Sequence, residues 1–280
     1  MGDNQDAHIP FNQANEIYTF RNPRLQDFSL QYPILKYIYQ NHVIWKKLIK
    51  TCKFFFSSNR VYPVGHLRAL GNSKWEADNE IFDSNHSFCK LWLHNALFVS
   101  LSPEFPHELS SLIPKIQKCD LRVLQLDNQN LSWDEYQFLT TSGTIEWLDF
   151  GKFSVKYSDD KVVAFDKLLK NFKDMRKICV RNCSNCSSMF ELDTVKNMVQ
   201  ILSRFPKLRY LSLGDLPGTF DFASITDFLL MNEKIRVTIC FHRHAALSPA
   251  FAEMLNNFVN YVRENPPKIV PSVRFSGLHN

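Results

Sequence analysis

Glycine is scarce. The 280-residue chain holds 8, where an average composition near 7% would give about 20. That scarcity disfavours Gly-rich phosphate cradles and collagen-like repeats. No apolar run approaches the ~18 residues that would span a bilayer, so no membrane segment is expected. The opening Met1-Gly2-Asp3-Asn4-Gln5-Asp6 is polar and acidic and is not expected to act as a secretory signal. Catalytic signatures are missing as well. There is no Gly-x-Ser-x-Gly, no P-loop, no His-Glu-x-x-His and no cysteine-nucleophile motif. No enzymatic activity and no cofactor are therefore expected. Carboxylates are absent from Phe28 to Trp75, a stretch that carries Lys36, Lys46, Lys47, Lys50, Lys53, Arg60, Arg68 and Lys74.

The chain is otherwise of ordinary globular composition, 45% hydrophobic and 22% charged, with a net charge of +5. Seven cysteines, an odd number without an export signal, read as reduced thiols of an intracellular protein of cytoplasm or nucleus. A nucleic-acid reading of the lysines finds no recognisable reading element.

Along the chain, residues 1–25 are loosely patterned and read as a flexible arm, and 26–70 as a helical module. Pro33 suits a first helical turn, with Ile34, Leu35, Ile38 and Tyr39 at helical spacing. After Asn41, a second run puts Trp45, Leu48, Ile49, Cys52, Phe55 and Phe56 on one face, and Lys46, Lys50 and Lys53 on another. Those lysines read as a solvated face or as a surface for an acidic partner. Residues 71–87 read as a polar connector, 88–265 as a repeat domain and 266–280 as a tail.

The repeat domain carries the strongest signal. Apolar residues recur at positions 1, 4, 6, 9 and 11 of a template, beginning at Leu121, Ile145, Met175 and Leu208, with a degraded copy at Ile235, Val237 and Ile239. The starts are 24, 30, 33 and 27 residues apart. Between them lie helix candidates, Ser132 to Thr140, Asp159 to Phe172, Leu192 to Phe205 and Phe222 to Met231. Leu91, Leu93 and Leu97, with a helix around His107 to Lys118, read as an opening unit, and a last helix from Ser248-Pro249 to about Glu264 as a cap. The expected fold is α/β: a short, irregular solenoid of strand–helix units with a parallel sheet. One such unit cannot bury its apolar side alone, whereas stacked neighbours share a core.

Stacking would set the outward strand positions in rows. The first row is Val123, Trp147, Lys177, Tyr210 and Arg236. The second includes Gln125, Asp149, Cys179 and Ser212, and the third Asp127, Gly151, Arg181, Gly214 and Cys240. Trp, Tyr and Arg on a rigid sheet are hot-spot residue types. The expected ligand-binding face, open to a protein of unknown identity, is Val123, Gln125, Trp147, Asp149, Lys177, Arg181, Tyr210, Ser212 and Arg236. The alternative is that Trp147 and Tyr210 only pack against each other or under a flanking loop. Cys179, Cys183 and Cys186 lack a fourth ligand, and His242 and His244 lack a third, so no metal site is expected.

The segment 121–131 resembles the leucine-rich repeat pattern Leu-x-x-Leu-x-Leu-x-x-(Asn/Cys)-x-Leu, with Gln129, Phe153, Cys183 and Leu216 at the ninth position of the four copies. The stretch from Tyr32-Pro33-Ile34-Leu35 to Leu48-Ile49-Lys50-Thr51-Cys52-Lys53-Phe54-Phe55-Phe56 resembles an F-box. The order of the two, with Thr140-Thr141-Ser142-Gly143-Thr144-Ile145-Glu146-Trp147-Leu148, is similar to nematode F-box and FTH-type proteins. The resemblance implies a substrate-recognition adaptor of a cullin-type (SCF) ubiquitin ligase. It implies that Pro33, Ile34, Leu35, Ile38, Trp45, Leu48 and Ile49 dock on the acidic linker subunit. The alternative is a repeat-based binding module whose N-terminal helices only cap the repeats.

Overall fold

The computed structural model describes residues 30–275, apart from 53, 56–58, 87–88, 182–185, 192 and 246. The arm at 1–25, Lys53, Phe56 and Cys183 therefore lie outside the described residues, as does the end of the expected tail, 276–280. The protein is α/β, with one large, mostly parallel sheet. Its strands are β1 (Val61–Gly71), β2 (Lys74–Ala77), β3 (Glu80–Asp83), β4 (Lys90–Ser100), β5 (Ile116–Cys119), β6 (Val123–Asp127), β8 (Trp147–Phe150), β10 (Lys177–Val180), β11 (Tyr210–Leu216), β12 (Arg236–Phe241) and β13 (Ser272–Arg274). They lie in the order β13-β12-β11-β10-β8-β6-β4-β1-β2-β3, with β5 beside β4. Among the sheet's described strands, only β1–β2 and β2–β3 are antiparallel. A separate parallel pair joins β7 (Gln129–Ser132) to β9 (Phe153–Lys156).

The repeat template explains the core. Positions 4 and 6 of each copy, Leu124, Leu126, Leu148, Phe150, Ile178, Val180, Leu211 and Leu213, are all fully buried. Each such side chain contributes about 1.5–3 kcal/mol on leaving water. They pack on Leu109, Leu112, Tyr136, Leu139, Leu169, Met198, Ile225 and Leu255 from the helices that follow the strands. Those helices are α3 (Glu108–Leu112), α4 (Trp133–Thr140), α5 (Phe165–Leu169), α7 (Thr194–Leu202), α8 (Ala223–Met231) and α9 (Pro249–Glu264), with α6 (Cys186–Met189) short. Ser132 and Glu135 form a reciprocal capping box at α4. Ser248 caps α9, whose Pro249 sits in the first turn.

Two helices lie apart, α1 (Tyr32–Gln40) and α2 (His42–Thr51). Asn41 Oδ1 caps α2 by accepting from Val43 and Ile44 N–H. Ile38, Trp45 and Phe55 form a second cluster with Val61 and Trp92. Val61 and Trp92 belong to β1 and β4, and Leu91 and Leu93 beside Trp92 point into the main core. The helical pair therefore packs on the opposite face of the sheet from α3–α9.

Several boundaries differ from expectation. Residues 61–70 belong to the sheet and not to the helical module. Residues 71–83 form a hairpin and not a connector, followed by a 3-10 turn at Ser84–His86. The hairpin turns Asn72-Ser73 and Asp78-Asn79 have all four φ between 50° and 75°, the pattern of tight primed turns. Trp75 anchors it, fully buried. In the expected tail, Val273 and Phe275 are buried and β13 pairs with β12. The helix expected over His107–Lys118 ends at Leu112 in a 3-10 turn at Ile113–Lys115, because Pro114 has no N–H to donate. Asp159-Asp160 forms a turn instead of a helix start. Lys161 N–H donates to Asp159 Oδ1, Asp160 has φ +63°, and α5 begins only at Phe165.

Candidate functional site: the open face of the sheet

Away from α1 and α2, no described helix covers the face opposite the main core. Its register follows from the parallel pairing. Val123 lies beside Trp147, Trp147 beside Lys177, Lys177 beside Tyr210, and Tyr210 beside Arg236. The second row runs Gln125, Asp149, Cys179, Ser212 and Thr238 in the same pairings.

Lys177 sits between two aromatic rings, its Nζ 4.0 Å from the Trp147 centroid and 5.4 Å from that of Tyr210. Such a cation over two ring faces is held by their negative quadrupoles. Trp147 remains 39% exposed, and Val123, Tyr210 and Lys177 are half-buried while Arg236 is exposed. Trp147 and Tyr210 therefore do not stack on one another; a lysine separates them.

The second row is built differently. Asp149 is buried and accepts from Arg181 Nη2 at 2.8 Å and Nε at 3.2 Å. Its carboxylate is paired with Arg181, so the two act together on this face. Arg181 is exposed and continues the cationic surface. Burial, then Asp149, pushes the Cys179 thiol up, leaving it a small neutral surface between Asp149 and Ser212. Gly151, in the third row, has no room for a side chain: a Cβ there would lie 2.1 Å from Asp127 Oδ1. Asp127 in turn accepts from Lys152 N–H at 3.0 Å.

The sequence reading missed the row one residue upstream. Glu146 Oε1 accepts from Arg122 Nε at 2.9 Å, and its Oε2 pairs with Arg176 Nε at 2.8 Å. Arg122, Glu146 and Arg176 each precede a first-row residue, so the same repeat spacing would have revealed them. This ladder fixes two guanidinium groups along the edge of the aromatic row.

The N-terminal docking set divides. Trp45 is 1% exposed and its Nε1 donates to Val61 O at 2.7 Å. Ile38 is also buried. Leu35, Leu48 and Ile49 are partly buried against the same cluster. Trp45 and Ile38 are thus anchors to the sheet and do not face a partner, a correction to the expected docking surface. Pro33 and Ile34 are exposed, beside exposed Tyr32, Tyr37 and Val43. Lys46 forms an ion pair with Asp78, so it turns toward the sheet.

Among the described residues no group of three His, Cys, Asp or Glu could hold a metal ion. His242 and His244 lie with ring centroids 5.6 Å apart, and His242 Nδ1 accepts from His244 N–H. No described helix is long and apolar enough to cross a membrane. No protein-family model, curated protein or solved structure matches the chain.

Proposed function

We propose that the chain is a non-catalytic protein-interaction scaffold. Its repeats form a short, irregular leucine-rich-repeat-like solenoid whose open face holds a protein partner across Trp147, Lys177, Tyr210, Arg181 and Arg236. One observation carries this reading: an aromatic–cation–aromatic row, in register on parallel strands and left partly exposed. A parallel sheet is ordinarily covered on both faces, and amphipathic aromatics flanked by arginines are the groups that dominate interface energetics. Affinity purification of the full chain beside a Trp147→Ala/Tyr210→Ala variant tests it. Specific partners should drop at least about tenfold in the variant, the cost of losing a single hot-spot anchor. Equal recovery from both proteins overturns it.

A second reading has its own support. Tyr37, 60% exposed, lies on α1 on one face with exposed Pro33 and Ile34, an apolar stripe uncovered by this chain's described residues. On that stripe the F-box resemblance makes the protein an adaptor that recruits the acidic linker subunit of a cullin ubiquitin ligase, in cytoplasm or nucleus. Co-purification of the linker subunit, lost in an Ile34→Ala/Tyr37→Ala variant, is the expected outcome. Failure of the intact chain to retain the subunit removes the adaptor and leaves the scaffold.

A further inference from the structure

Where α2 crosses the open face near β1 and β4 there is a cavity of about 730 Å³. That volume suits a small organic ligand. Basic residues line both walls. The helix supplies His42, Lys46, Lys47 and Lys50; His66 and His94 come from β1 and β4, and Arg122 from just before β6.

The carboxylates within reach are already committed. Asp78, the one acid lining the cavity, accepts from Gly65 N–H at 3.0 Å and His66 N–H at 2.8 Å and pairs with Lys46. Arg122 is held by Glu146. Lys47 and Lys50 are exposed, and no carboxylate of the described residues pairs with them. A surplus of positive charge is left in a partly enclosed space. His94 senses that field. Burial, followed by repulsion from His42, depresses its pKa to about 4, and Lys46 adds to the effect. The His94 ring stacks on His42 with centroids 3.7 Å apart, giving the cavity a flat wall.

We propose that this cavity binds a small phosphorylated molecule, with Lys47 and Lys50 receiving its phosphoryl oxygens beside the His42–His94 stack. Lysine acts on phosphate as a mobile point charge. Two ammonium groups on successive turns of one helix, facing an arginine across a gap, match a multiply charged oxyanion better than a single carboxylate. The site adjoins the aromatic row at Arg122, but its two lysines lie on α2, and it does not depend on a protein partner at the row.

Calorimetric titration of the full chain with pyrophosphate, at low and at physiological salt, tests the assignment. Saturable binding of one equivalent is expected, weakened about tenfold or more in Lys47→Glu/Lys50→Glu and less in Lys47→Gln/Lys50→Gln. A remote variant of equal charge change, Lys196→Glu/Lys234→Glu, should bind as the parent does. No heat of binding overturns the proposal, as does an equal loss in the remote variant, which would mark a diffuse charge effect. A phosphoserine peptide that binds through Lys47 and Lys50 while pyrophosphate does not would also overturn it, and would assign the cavity to a protein partner instead.

Discussion

Tyr136 is almost wholly buried, and its hydroxyl donates to Leu168 O at 2.7 Å. Burial holds its pKa well above the usual phenolic range, so it stays a neutral donor linking α4 to α5. Tyr136→Phe leaves the Leu168 carbonyl without that partner and should cost about 1–2 kcal/mol in urea unfolding. Gln129, with no exposed surface, accepts from Leu109 N–H and donates to Phe105 O and Asn128 O. From the ninth template position it satisfies backbone groups of the first turn of α3 and of the loops around it; the spacing marked the position but not this role. His94 supplies a pH dependence. Its folded pKa of about 4 lies below the ordinary 6.5, so the unfolded chain binds a proton that the folded chain refuses. Stability is unaffected by this group above pH 6.5 and falls as pH drops from 6.5 toward 4. His42, Lys46 and Asp78 face the ring. His94→Gln should flatten that part of the decline in thermal unfolding measured from pH 7 to 4.

At the scale of elements, the strands at Leu121, Ile145, Met175 and Leu208 were legible because a parallel strand covered by helices must carry leucine-like residues at positions 4 and 6. The strand β1 was not, because Pro63 and Gly65 interrupt its pattern. Proline is tolerated there because β2 pairs with β1 only from Leu67 onward, leaving the start of β1 bonded to β4 alone. The hairpin at 71–83 was masked by polar residues whose value lies in their positive φ. The helical pair was legible in its periodicity but not in its orientation. Trp45 and Ile38 satisfy a docking stripe and a core anchor equally well in sequence, and only the contacts with Val61 and Trp92 separate the two. Trp45→Ala removes that anchor, at about 3–5 kcal/mol for a fully buried large side chain. Hydrogen exchange should accelerate over Tyr32–Thr51 while Leu124, Leu148 and Ile178 keep their protection.

Across the whole molecule, phenylalanines tie successive units together. Phe165, Phe190, Phe220, Phe241 and Phe251 follow one another with centroids 5.2, 5.4, 6.1 and 5.5 Å apart. This chain of edge and tilted contacts runs across the strand direction through the buried side, where the irregular ninth positions leave no regular polar ladder. Phe220→Leu interrupts it at mid-length and should lower stability by about 1–2 kcal/mol in urea unfolding without altering the open face. The same stacking sets Val123, Trp147, Lys177, Tyr210 and Arg236 in a single line, one residue per strand. Four interstrand steps of about 4.8 Å place the ends of that line about 19 Å apart. A pulsed electron–electron resonance measurement between spin-label residues introduced at Val123 and Arg236, both outside the main core, reads this separation in the full chain. A narrow distribution near that distance, allowing for the label side chains, is expected. A broad distribution, or one centred beyond about 30 Å, would mean that the strands do not lie side by side in register, and the proposed recognition face would not exist.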